Sequence, residues 1–177
     1  MNDAILIWRM KRGNIDALGR IYEKYESDML AVGIHLLGNR HSAEDIVHEV
    51  FVKFAQTIHK RRVHGSLRSF LITCVVHRCR DWQRANKRTS AELGDCPATP
   101  DCDPASRIIA DETSSRLAAA MAELPYDQRE VILLHLRGGM RFKAIADHLE
   151  ASINTVQSRY RYGLQKLRSL LDGEVER

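Results

Sequence analysis

Residues 141–171 read RFKAIADHLEASINTVQSRYRYGLQKLRSLL, and this stretch decides the fold of the C-terminal part. Ile145, Ala146 and Leu149 follow Arg141 at intervals of one helical face. Glu150-Ala151 then marks a turn, and Ser152 is placed to cap the next helix. That helix sets Val156, Tyr160, Leu164, Leu167 and Leu171 on one side and Asn154, Ser158, Arg161, Gln165 and Arg168 on the other. A short helix, a tight turn and a longer helix with a basic polar face make a helix-turn-helix. The second helix of such a motif enters the DNA major groove with its N-terminal side chains on base edges.

Working back along the chain, Pro125 breaks one helical pattern (Leu117, Ala120, Met121, Leu124, from about Asp111) and can start the next, Tyr126–Leu136. Gly138-Gly139 ends that one. Residues 89–106 hold three of the four prolines and read as a linker. Before them, Asn14 caps a helix carrying Leu18, Ile21, Tyr22, Tyr25, Met29, Val32 and Leu36, closed by Gly38-Asn39. Ser42 and Asp45 form a capping box for a helix over 43–59 that buries Ile46, Val47, Val50, Phe51, Phe54 and Ile58. Ser66 caps a third helix, from Leu67 to about Lys87. No run alternates with period two. The expected fold is therefore all-α: two small helical domains, 1–92 and 111–173, joined by a flexible linker over 93–110, the second domain containing the helix-turn-helix.

Composition narrows the function. The 177 residues are 44% hydrophobic and 28% charged, enough for a folded core. Apolar runs reach about five residues, as in Ala4–Trp8, against the ~20 that a membrane span needs, so no membrane association is expected. The N-terminus has no secretory pattern, so the expected location is the cytoplasm, with Cys74, Cys79, Cys96 and Cys102 as thiols. The net charge of +4 is unevenly spread. Lys53 to Arg88 holds ten Lys/Arg against Asp81 alone, a net +9, and 137–168 carries a net +5. Residues 96–116, between them, are net −2. Two basic patches flanking an acidic connector suit one polyanion held at two places.

Three strings carry a resemblance. SAEDIVHEVFVKF (42–54) resembles the most recognisable segment of bacterial sigma factors. SLRSFLITCVVHRCRDWQR (66–84) resembles their promoter-melting helix, and ELPYDQREVILLHLRGGMRFKAIADHLEASINTVQSR (123–159) their C-terminal helix-turn-helix. Their order and spacing resemble the extracytoplasmic-function (ECF) group, which keeps only sigma regions two and four. The resemblance implies a non-enzymatic transcription initiation subunit. It would bind core RNA polymerase at the β′ clamp and β flap, read the minus-ten and minus-thirty-five promoter elements, and open the duplex. It implies no cofactor and no metal of its own, and leaves an anti-sigma factor as a further partner. His48, Phe70, His77 and Ala144 stand where the family commonly has Gln, Trp, Asn and Glu, and Glu150 where it has a turn Gly. A left-handed non-Gly residue costs ~1–2 kcal/mol, so the turn at Glu150 is expected to take another shape.

By this resemblance Asp45, His48, Glu49, Val52 and Lys53 would form the polymerase-docking face. Arg61, Arg62, Ser66, Arg68, Phe70, His77, Arg78 and Arg84 would meet the minus-ten DNA, with Phe70 either a platform for an unpaired base or a core residue and Trp82 in the core. Arg141 and Lys143 would touch backbone upstream, and Asn154, Thr155, Gln157, Ser158, Arg159 and Arg161 would meet bases or phosphates of the minus-thirty-five element. Two rival readings remain. A stand-alone helix-turn-helix regulator explains 123–171 but leaves the docking face and the second basic patch without a role. A nuclease would use Asp45 and Glu49, one turn apart, to hold Mg²⁺, but no further acid or base completes a site. A zinc site from Cys74, His77 and Cys79 lacks the four converging ligands that such sites need.

Overall fold

The computed structural model describes residues 3–59, 65–92 and 112–172. Among them every regular element is a helix: α1 (Asp3–Lys11), α2 (Ile15–Leu37), α3 (Arg40–Thr57), α4 (Leu67–Glu92), α5 (Glu112–Ala122), α6 (Tyr126–Leu136), α7 (Phe142–Leu149) and α8 (Ile153–Asp172). The proposed linker 93–110 lies outside the described residues.

The helix α2 is the axis of the N-terminal half. Asn14 caps it, its Oδ1 accepting from the Ala17 N–H at 2.9 Å. Its apolar stripe buries Ile21, Tyr25, Met29, Val32 and Leu36 against α1, α3 and α4. Each such side chain contributes ~1.5–3 kcal/mol by leaving water. Gly38, left-handed at φ 71°, stops α2, and extended Asn39 starts α3 at once. The Asn39 Oδ1 accepts from the Ser42 N–H at 2.9 Å. The cap is thus Asn39, not the expected Ser42, because the reversal after Gly38 is complete in one residue. The six apolar residues expected inside α3 and the loop after it, Ile46 to Ile58, are all buried.

Ser66 caps α4 as expected, its Oγ accepting from the Ser69 N–H at 3.0 Å. The helix runs on to Glu92, past the expected end near Lys87, and takes up the first residues of the stretch read as linker. No proline interrupts RTSAE (88–92), so nothing local forces the backbone out of the helix.

In the C-terminal half α6 is buried on both sides. Val131, Ile132, Leu133 and Leu134 are consecutive and all below 5% exposed, as suits a helix packed on two faces. One side meets α2 and α4, the other α7 and α8. A single apolar cluster consequently runs through both halves. Along α8 the buried stripe is Val156, Gly163 and Leu167, with Tyr160 and Leu171 packed at its margin. Leu164, expected in the core, is 37% exposed. At Gly163 a Cβ would sit 2.8 Å from Ile132 Cδ1, so α8 meets α6 along glycine's bare backbone and Leu164 lies off that line. Leu117 of α5 is likewise 40% exposed, one turn ahead of the buried Ala120 and Met121.

The turn at Glu150 departs from expectation. Glu150 adopts the left-handed conformation (φ 51°, ψ 40°), the shape a glycine would take there. Its N–H and that of Ala151 both reach Ala146 O, the latter at 3.0 Å. Those carbonyl contacts close α7, as left-handed C-caps do, and they hold the strained residue in place.

Candidate nucleic-acid interface

The helix α8 starts where the sequence placed it. Ser152 Oγ accepts from the Thr155 N–H at 3.0 Å and meets the Thr155 hydroxyl at 2.8 Å. Thr155, expected on DNA, is thereby part of the cap. Asn154 and Gln157 are exposed in the first turns of α8, beside half-buried Ser158. Arg161, also exposed, lies over the Tyr162 ring, and its guanidinium donates to the Tyr162 hydroxyl at 3.3 Å. Arg159 differs: it forms a 2.7 Å ion pair with Asp127 of α6, because its position on α8 turns it toward that neighbour. Arg141 and Lys143 stand exposed at the start of α7.

On α4 the expected minus-ten residues divide. Ser66 and Arg84 are exposed. Arg68 pairs with Asp28 at 2.9 Å. Arg78 donates to Glu49 through Nε at 3.0 Å and through Nη2, and lies near Asp81. The exposed His77 has its ring edge-on to His148 of α7, centroids 4.2 Å apart. Phe70 is half-buried and packs on the core, its ring 6.1 Å from that of Phe54. Trp82 packs against the core as expected. Arg61 and Arg62 lie outside the described residues.

On α3, Asp45, His48, Val52 and Lys53 are exposed, Val52 at 42%. Glu49 instead turns to α4. Arg78, and then Lys53 at 3.0 Å, hold its carboxyl below the usual range. The expected partner of polymerase and the expected partner of DNA are thus paired with each other. Asp45 and His48 line one wall of a groove between α2 and α3, with Tyr22, Glu26 and Arg40.

The cysteine–histidine string of α4 does not converge. Cys79 is fully buried, and burial pushes its thiol up to about 12, while His77 turns instead to His148 of α7. Cys96 and Cys102 lie outside the described residues. Sequence reading missed Glu130, the buried charged residue of α6, whose carboxylate meets Arg80 at 2.5 Å. Burial raises its pKa, and Arg80 opposes that rise. A lone acid at the head of the apolar run EVILL was the available signal.

The two helical halves, the second with its helix-turn-helix, are matched by known proteins. Residues 21–89 match sigma-70 region 2, and residues 114–167 match sigma-70 region 4. The ECF RNA polymerase sigma factor SigW of Bacillus subtilis is 25% identical over 176 residues, covering 93% of this chain and 94% of that one. The probable RNA polymerase sigma factor RfaY of Xanthomonas campestris pv. campestris is 28% identical over 149 residues. That match covers 81% of this chain and 37% of RfaY, so the chain spans little more than a third of that relative. In fold, the chain is similar to a sigma factor RpoE solved in complex with the anti-sigma factor NepR from Bartonella quintana. The TM-score is 0.68 and the identity 20%, covering 87% of this chain and 96% of that one. The chain belongs to the sigma-70 family, in its extracytoplasmic-function group.

Proposed function

We propose that the chain is a transcription initiation subunit that joins core RNA polymerase, directs it to promoters and opens the DNA. The observation that carries this reading is the pairing of sigma regions two and four in one chain, in that order. Residues 1–92 form the docking and melting domain, 93–110 the tether, and 111–173 the upstream reader.

The geometry supports a division of labour. The exposed α3 face of Asp45, His48, Val52 and Lys53 meets the β′ clamp, where Val52 supplies apolar contact among charges. The C-terminal half meets the β flap. Ser66 and Arg84 on α4, with Arg61 and Arg62 before it, follow the minus-ten strand, joined by Arg68, His77 and Arg78 once these leave their internal partners. Phosphate contacts of this kind fix register and make affinity fall with salt. Phe70 contributes one ring edge to an unstacked base while its body stays on the core. Asn154, Gln157 and Ser158 read base edges upstream, and Arg141, Lys143, Arg159 and Arg161 hold phosphates. The chain is not an enzyme and acts in the cytoplasm beside polymerase. An anti-sigma factor is a further partner, as in the complex of the similar Bartonella protein.

The test is binding of a promoter duplex with and without core polymerase. Sequence-specific retention that needs the core is expected; equal retention without it would favour the stand-alone regulator. Glu49 serves Arg78, so the docking variant is Asp45→Lys with Val52→Asp, both at exposed positions. It is expected to lose core affinity at least about tenfold, a cost near 1.4 kcal/mol, with helix content unchanged.

A further inference from the structure

The helix α1 buries one stripe and shows the opposite one. Leu6 and Met10 are buried and hold it against α2. Trp8 lies midway between them in sequence, and so on the far side of the helix, where it is 53% exposed. Ile5, on the same side, is exposed as well. Arg9 and Lys11 flank this side at their places around the helix, both exposed. Arg12 follows the last turn, and its guanidinium lies over the Trp8 ring, 3.9 Å from the centroid. From Ala4 to Ile15 these three basic residues stand without a single acid. Nothing in the core requires a tryptophan here.

We propose that Trp8 and Arg12 form a stacking platform for an unpaired base of the promoter, on the downstream side of the minus-ten element. The placement on a promoter rests on the function proposed above. The indole takes any base, since every base has a stackable face. The guanidinium already lying over the ring shows that a planar group fits there. A base takes that place, and the freed guanidinium meets the neighbouring phosphate, with Arg9 and Lys11 adding positive charge and Ile5 apolar contact. A lipid surface also favours tryptophan among basic residues, but it takes up the apolar stripe of a helix. In α1 that stripe, Leu6 and Met10, is already spent on α2.

The helix α2 relates this platform to the minus-ten surface. Asp3, at the start of α1, accepts from Lys24 Nζ at 2.5 Å and from the Tyr25 hydroxyl at 2.6 Å. Arg68, in the first turn of α4, pairs with Asp28 at 2.9 Å. Lys24, Tyr25 and Asp28 are spaced by three and four, so α1 and α4 begin on one face of α2. Gly13, left-handed at φ 84°, turns the chain from α1 into α2, so α1 runs back along it toward the start of α2. At 1.5 Å per residue the levels of Trp8 and Arg68 differ by roughly 14 Å along α2, about four nucleotides of stacked single strand. Promoter DNA upstream of the minus-ten element stays paired on its way to the helix-turn-helix. The unpaired base that reaches Trp8 is therefore a downstream one.

The test titrates the full chain with single-stranded dT of about twelve nucleotides, within the usual span of such sites. Tryptophan fluorescence is expected to be quenched. Trp8→Ala, which keeps Trp82, is expected to lose most of the quench and about tenfold in single-strand affinity, with duplex affinity unchanged. Trp8→Phe keeps a ring and is expected to recover most of the affinity. Arg12→Ala is expected to lower the single-strand salt slope by about 0.7, and it serves as the test should Trp8→Ala lose helix content. In the open complex with core polymerase, 2-aminopurine placed within about four nucleotides downstream of the mapped minus-ten element is expected to be dim with the wild type and brighter with Trp8→Ala. No quench in the wild type, equal losses on single strand and duplex, or an unchanged salt slope in Arg12→Ala would overturn the platform. Equal 2-aminopurine brightness would overturn its downstream placement. Retention on phosphatidylserine vesicles that Trp8→Ala abolishes, with dT binding untouched, would overturn it in favour of a lipid surface. The dT titrations need no polymerase, so failure of the proposed function is read separately, in transcription.

Discussion

The left-handed Glu150 offers a quantitative test of how the helix-turn-helix is held. Its φ of 51° and ψ of 40° cost a non-glycine residue ~1–2 kcal/mol. The side chain is exposed, so its removal opens no cavity. Glu150→Gly removes the strain but gives the unfolded chain extra freedom worth ~0.5–1 kcal/mol. The net expectation is a gain of about 0.5–1 kcal/mol. At ~2–4 °C per kcal/mol for a chain of this size, the midpoint should rise by about 1–4 °C. Glu150→Ala keeps the strain and removes the carboxylate, so it controls for charge. Unfolding of all three proteins, followed by circular dichroism in urea and on heating, measures the difference. The α7–α8 angle does not change, so promoter affinity should hold. A Glu150→Gly protein no more stable than Glu150→Ala would refute the idea that the backbone here is under strain.

Three further outcomes are expected. Gly163→Ala should destabilise by up to about 2 kcal/mol in urea unfolding, because the new Cβ meets Ile132 Cδ1 at 2.8 Å and Gln128 Cβ at 3.2 Å, and overpacking of ~1–3 kcal/mol is set against a helix-propensity gain of ~1 kcal/mol. His148, held down to about 4 by burial and then by His77 and Arg80, should make stability pH-dependent. Its folded pKa lies below the ordinary histidine value of 6.5, so its contribution is whole above pH 6.5 and falls as pH drops toward 4. About 1–2 kcal/mol should be gone by pH 5, and His148→Gln should flatten that slope. Finally, Gln157→Ala should relax preference at one upstream base at a cost of ~1–3 kcal/mol, while Arg161→Ala should weaken all sequences alike and reduce the salt slope by about one. An unchanged preferred sequence in Gln157→Ala would put the register of α8 in error.

Periodicity made α2 and α3 legible because each buries one stripe. Ile46 to Ile58 and Ile21 to Leu36 stood out for that reason, and α6 began and ended at the proline and glycines that bracket it. Two features escaped. The α3 cap went to Asn39 because the reversal depends on how Gly38 and Asn39 share one turn, which spacing does not encode. Leu164 lost its core place to Gly163, since a residue without a side chain leaves no mark in a hydrophobic pattern. Exposure was legible where side chains stand alone, as at Asn154 and Gln157 on an open helix start. It was illegible where they act in pairs between helices. Arg78 with Glu49, Arg159 with Asp127 and Arg80 with Glu130 each join residues at least 29 positions apart, and charge counts assign both members of such a pair to solvent or to DNA.

The most direct measurement of the central claim is transcription reconstituted from core RNA polymerase and this chain on a promoter library. The account predicts discrete start sites that appear only when the chain is added, sharing one upstream and one downstream element at fixed spacing. Core polymerase that initiates no differently with the chain than without it, while the chain alone still binds DNA, would contradict the account.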